Sequence, residues 1–204
     1  AEAPVESPAA RDLIAKAMDD DPRPLYVATI GAPTNVSSAL LMEPGICDRV
    51  VVVWLGGQPH DWHTAREFNL KQDLHASRIL FDSGVPLVQL PCSKVTERLR
   101  TTVPEVEAEV RPHGAIGEYL CEIFKDFMEE HAAESKVIWD ISAIAWLLNP
   151  DWIPTRIVPS PILTDEYTWD SDDNRHPIRV GVHCDREAIF GDLFRRLAAN
   201  ARSG

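Results

Sequence analysis

The stretch R-V-V-V-V-W-L, Arg49 to Leu55, closed by Gly56-Gly57, decides the fold class. Its β-branched residues favour strand over helix, and it is apolar throughout instead of alternating with polar residues. A strand of that kind is covered on both faces, as in parallel sheets with helices on either side. Toward the N-terminus, residues 25–30 (L-Y-V-A-T-I), closed by Gly31, predict a shorter strand, and residues 36–42 predict a helix between the two. Farther up, Ser7-Pro8 reads as N-cap and first helical position, with Leu13, Ile14 and Ala17 on one face. Toward the C-terminus, a helix from Asp73 to Ser83 leads into a strand over residues 86–90.

Beyond that strand, Leu120, Ile123, Phe124, Phe127 and Met128 recur at helical spacing and predict an amphipathic helix. Residues 137–139 and Asp140 run into I-S-A-I-A-W-L-L, which is apolar almost all round and reads as a buried helix. Residues 178–183 read as a final strand. Asp185 is placed to cap a last helix with Ile189, Phe190, Leu193, Phe194 and Leu197 inward. There is no internal repeat or linker, so residues 1–204 read as one domain. The alternation specifies an α/β fold, an open and mostly parallel sheet with helices on both faces. Such sheets bind ligands at the carboxyl ends of their strands. That singles out residues 31–35, residues 56–69 and Trp139-Asp140.

Composition narrows the partners. Lys+Arg 20 against Asp+Glu 32 gives a net charge of -12 with no basic run to offset it, which disfavours nucleic acid and anionic membrane surfaces. Cys47, Cys92, Cys121 and Cys184 are scattered and read as small core residues of a protein kept reduced, hence cytoplasmic. The opening A-E-A-P-V-E-S-P does not read as a signal peptide, and no apolar run approaches a membrane span.

Each strand end admits two readings. Ile30-Gly-Ala-Pro-Thr-Asn35 is an ordinary strand-to-helix turn or a source of free carbonyls. Glu67 and Asn69 sit two apart, one an acceptor and one a donor, which suits a polyhydroxyl ligand; equally, they could be solvated or capping residues. His60 and His63 could bind a metal or be bystanders on an exposed loop. Asp140, between apolar segments, either caps its helix or holds a cation.

Taken together, Ile30-G-A-P-T-Asn35, Trp54-L-G-Gly57, Glu67-F-Asn69 followed by Asp73-L-H-A-Ser77, and Trp139-Asp140 resemble the inosine-uridine nucleoside hydrolase family. The resemblance runs from about Pro4 to Leu197 and includes the closing S-P-I-L-T-D, Ser160 to Asp165. It implies hydrolysis of the N-ribosidic bond of ribonucleosides at a calcium ion. In this alignment Asp140 and the main-chain carbonyl of Ile30 are metal ligands, and Glu67 and Asn69 bind the ribose hydroxyls. Asp61 falls near an asparagine that touches the sugar. Trp139 replaces the histidine of many members and resembles the purine-specific branch, where indoles stack on the base; Trp62 would supply the second face.

The family's N-terminal D-T-D-x-x-x-D-D motif, with most of the metal ligands and the general base, is absent from these 204 residues. The catalytic residue is therefore expected outside this chain. The expectation is a larger piece of a nucleoside hydrolase, with its N-terminal strands missing. An N-terminal segment or second chain would complete it within a homo- or hetero-oligomer. The alternative is a non-catalytic nucleoside-binding or structural subunit.

Overall fold

The computed structural model describes residues 3–201, so the opening Ala1-Glu2 lies outside the described residues. In chain order the elements are α1 (Pro8–Ala17), β1 (Leu25–Thr29), α2 (Thr34–Met42), β2 (Val50–Leu55), α3 (Phe68–Gln72), α4 (Leu74–Asp82), β3 (Leu87–Leu90) and β4 (Arg100–Thr101). They continue as α5 (Val103–Glu109), α6 (Gly114–Glu130), β5 (Lys136–Val137), α7 (Ile141–Leu148), β6 (Thr155–Pro159), β7 (Ile162–Leu163), β8 (Trp169–Asp170), β9 (Pro177–Gly181) and α8 (Arg186–Ala201).

The main sheet runs β1-β2-β3-β9-β6; its first three pairings are parallel, and β6 joins β9 antiparallel. The valine run behaves as its composition demands. Val52 and Trp54 pack against α1, α2 and α4, while Val53 packs on the other side against α7 and α8. Helix starts follow local chemistry. The hydroxyl of Ser7 accepts from the Ala10 N–H, Asp73 caps α4 through the Ala76 N–H, and Asp185 caps α8 through the Ala188 N–H. Among the described residues no helix is long and apolar enough to cross a membrane.

Three expectations are corrected, and one strand is new. Residues 137–139 do not form a strand of the main sheet: Lys136–Val137 pairs antiparallel with Arg100–Thr101 in a separate two-residue ladder. Strand β6 was not anticipated; it is an edge strand with Arg156 and Ile157 exposed, and so carries no continuous apolar signature. Helix α7 is not buried all round, because Ile144 and Leu148 are 51% and 48% exposed.

The inward stripe of α6 is rotated from the predicted one. Gly117, Cys121, Phe124 and Met128 face in, and Leu120 and Ile123 are exposed. The rotation follows from close backbone approach: a Cβ on Gly117 would lie 2.2 Å from the Val110 carbonyl oxygen.

Candidate active site at the strand ends

The carboxyl ends of β1 and β2 are tied together by side chains. Thr29 pairs with Trp54, so Ile30 and Leu55 leave the sheet side by side. The Asn69 amide nitrogen donates to both of their carbonyls, at 3.3 Å to Ile30 and 2.9 Å to Leu55. The Trp54 indole N–H donates to the Gly31 carbonyl at 3.0 Å. Glu67 caps α3, accepting from the N–H groups of Asn69 (3.0 Å) and Leu70 (3.2 Å), and also accepts from the Gly57 N–H across the loop (3.0 Å).

The consequences for ligand chemistry are specific. A carboxylate offers about four lone-pair directions, and three on Glu67 are filled. Both hydrogens of the Asn69 amide are engaged, and flipping the amide would set its oxygen against two carbonyls. Asn69 therefore presents Oδ1, an acceptor, where the sequence suggested a donor.

Gln89 was missed in the sequence, although a glutamine inside P-L-V-Q-L is a signal. It is fully buried on β3, donates to the Gly56 carbonyl at 3.1 Å, and pairs its oxygen with His60 Nε2 at 2.8 Å. Gly57 sits at φ +70, and a Cβ there would meet the Gln89 amide at 2.9 Å, so both backbone and space require glycine. His60 is no exposed bystander. It lies 5.0 Å from the Trp169 ring, centroid to centroid, and burial pulls its pKa below the ordinary histidine value, with the Gln89 bond opposing. It stands as a neutral donor to Gln89.

Asp61 is exposed and ion-paired to Lys94 at 3.1 Å, and that hydrogen bond holds its carboxyl below the usual range. The Lys94 ammonium also lies 4.9 Å from the centroid of Trp62, which is half-buried with His63 beside it. One face of Trp62 is thus already covered by a cation.

Trp139 is half-buried against the second face of the sheet. Asp140 is exposed, not enclosed between apolar segments as expected. It stands at the N-cap of α7, but its side chain makes no capping bond, and among the described residues its carboxylate makes no hydrogen bond or ion pair. Partial burial raises its pKa, with Lys136 opposing. The thiol of Cys92, just past β3, is pushed up by burial, then by the charge of Glu67 and a hydrogen bond to it, with a smaller push from the charge of Asp140. Both carboxylates therefore act on one spot at the same end of the sheet.

The donors match calcium in kind, since a free carboxylate and a main-chain carbonyl are hard oxygens. They fall short in number. Calcium takes about six to eight oxygens, and no group of three or more His, Cys, Asp or Glu among the described residues could hold a metal ion.

This arrangement has relatives. The chain is 29% identical over 152 residues to the pyrimidine-specific ribonucleoside hydrolase RihA of Escherichia coli O9:H4, a match covering 71% of this chain and 49% of that protein. The chain thus spans about half the length of the curated relatives it matches. Among solved structures it resembles a purine-preferring ribonucleoside hydrolase from Gardnerella vaginalis (TM-score 0.82, 23% identity), covering 98% of this chain and 68% of that one. It also resembles an inosine-uridine preferring nucleoside hydrolase from Bacillus anthracis (TM-score 0.75, 18% identity), covering 96% and 67%. At those identities the structural likeness speaks for the fold. The inosine-uridine preferring nucleoside hydrolase profile matches residues 1–191, through the tied strand ends and Asp140 alike, and the chain belongs to that family.

Proposed function

We propose that this chain is the larger part of a cytoplasmic, calcium-dependent ribonucleoside hydrolase that cleaves the N-ribosidic bond of purine ribonucleosides. Residues outside the chain would complete its site within an oligomer. The observation that carries this reading is the pairing of two unlike features at one end of the sheet. Glu67, Asn69 and the Ile30 carbonyl form a fixed acceptor-rich edge, while Asp140 keeps a carboxylate with no capping bond.

In hydrolysis, water adds at the anomeric carbon, the C–N bond breaks, and the base leaves with a proton. Glu67 accepts one ribose hydroxyl in place of the Cys92 thiol, and Asn69 accepts another through Oδ1, which fixes the ring for in-line attack. Trp139 stacks on the purine, whose larger ring system suits an indole face. Asp140 and the Ile30 carbonyl would hold the calcium, which would supply Lewis-acid assistance to the attacking water. The base that removes the water's proton lies outside this chain.

The test is base release from inosine, guanosine, uridine and cytidine by this chain, alone and with the polypeptide encoded immediately upstream, with calcium or a chelator. Turnover of purine nucleosides only in the combined, calcium-loaded sample is expected. Preference for uridine and cytidine, as the RihA name would suggest, would overturn the purine assignment. A second reading, a non-catalytic nucleoside-binding subunit, draws on the shortage of metal ligands among the described residues. Inosine binding by calorimetry without turnover in any sample would establish it.

A further inference from the structure

The loop after β2 is fastened one peptide plane at a time. The Leu55 carbonyl accepts from Asn69 at 2.9 Å, and the Gly56 N–H donates to the Leu90 carbonyl at 3.3 Å. In the next plane the Gly56 carbonyl accepts from the Gln89 amide at 3.1 Å, and the Gly57 N–H donates to Glu67 at 3.0 Å. The Gly57 carbonyl then accepts from the Cys92 N–H at 3.1 Å. The Gly56–Gly57 plane therefore rests on side chains at both ends, Gln89 at one and Glu67 at the other.

A peptide unit is planar, with its C=O and N–H pointing in opposite directions. Whatever fixes the Gly56 carbonyl therefore also aims the Gly57 N–H. Glycine on both sides leaves the plane as a whole free to turn over, since neither residue has a Cβ to resist it. Turned over, it would set the Gly56 carbonyl oxygen against the Glu67 carboxylate, and the two repel. Glu67 would keep the Asn69 and Leu70 N–H groups at the start of α3 and lose its tie to the loop.

Gln89 opposes that turn, and its own orientation is forced. Its side chain is fully buried, so water does not stand in for its bonds. The amide nitrogen faces two carbonyls, Gly56 at 3.1 Å and Gln58 at 3.5 Å. The amide oxygen is left for His60 Nε2 at 2.8 Å. Exchanging the two ends of the amide would set its oxygen against both carbonyls, so His60 Nε2 carries the hydrogen. The His60 ring packs in turn on Trp169, 5.0 Å away between centroids. An unbroken line of contacts runs from Trp169 through His60, Gln89 and one peptide plane to Glu67.

We infer that Gln89, oriented by His60, is a positioning residue for ribose recognition. It holds the Gly56–Gly57 peptide so that the Gly57 N–H fixes the direction of the Glu67 carboxylate. Gln89 acts through that peptide and not on the sugar. This rests on the reading above that Glu67 takes a ribose hydroxyl.

The test follows the Gly57 amide by NMR in this chain. It also measures binding of inosine and 2′,3′-dideoxyinosine by calorimetry in the completed, calcium-loaded protein. Gln89→Met and His60→Phe should each move the Gly57 amide proton upfield and speed its exchange at least about tenfold. Each should cut the preference for inosine over the dideoxy analogue by about tenfold, the scale of one hydrogen bond to a charged group. His60→Gln keeps a donor and should restore most of what His60→Phe loses in both readings. His60 is only half-buried, so its variants report the coupling even where Gln89→Met fails to fold. An unmoved Gly57 amide in the His60→Phe chain, or an equal loss of affinity for both nucleosides, would overturn the proposal. A completed protein that binds no inosine, while the Gly57 amide moves as described, would sink the nucleoside reading and leave the positioning of Glu67 intact.

Discussion

Glu67 and Asp140 are both carboxylates at the same end of the sheet, and their surroundings are opposite. Glu67 is filled by three backbone N–H groups and locked to a loop that Asn69, Gln89, His60 and Trp54 fasten to three strand ends. Asp140 is exposed at the start of α7, with no capping bond from its side chain. The difference teaches where each half draws its stability. The Glu67 half is held by bonds within this chain, so it is shaped before any ligand arrives. A carboxylate left without such bonds suits a cation supplied later, and its removal from the fold should cost little.

The largest expected effect comes from breaking the open half. In the completed enzyme, Asp140→Ala should lower turnover by about 100-fold or more, the scale of removing one electrostatic stabiliser. The unfolding free energy of the chain should change by no more than about 0.5 kcal/mol, leaving its Tm nearly unmoved. A large loss of Tm would mean that Asp140 supports the fold after all. Breaking the tied half should do the reverse in stability. Asn69→Ala leaves the Ile30 and Leu55 carbonyls without their donor, at a cost of about 1–3 kcal/mol in urea denaturation. A neutral result would show that water replaces the amide and that the strand ends are not fixed by it.

The smallest effect is a pH dependence confined to the tied half. Burial depresses the pKa of His60 in the folded chain. Its contribution is therefore fully present above the unfolded value of about 6.5 and is lost as pH falls through the lower folded value. Tm should drop on acidification below about pH 6.5, and His60→Gln should flatten that part of the profile. An identical profile in the variant would mean that His60 titrates as a solvent-exposed group.

Much of the sheet was legible in the sequence because its strands are covered on both faces. The runs at Leu25, Arg49 and Pro86 needed no partner to be recognised, and the caps Ser7 and Asp185 act within three residues of themselves. Strand β6 was not legible, since an edge strand with one open face has no run to read. Glu67, Asn69, the Ile30 carbonyl and Asp140 could be singled out by motif. Their states could not be.

By itself, then, the sequence determined the α/β class, the family and the three places where chemistry could gather, because apolar periodicity and capping are local. Only the tertiary structure decided that Asn69 turns its amide hydrogens inward, that His60 is half-buried against Gln89, that Asp61 is taken by Lys94, and that Asp140 stands exposed. Each of these depends on a partner 14 or more residues away, or on a face that another element does or does not cover, and no local pattern encodes that distance.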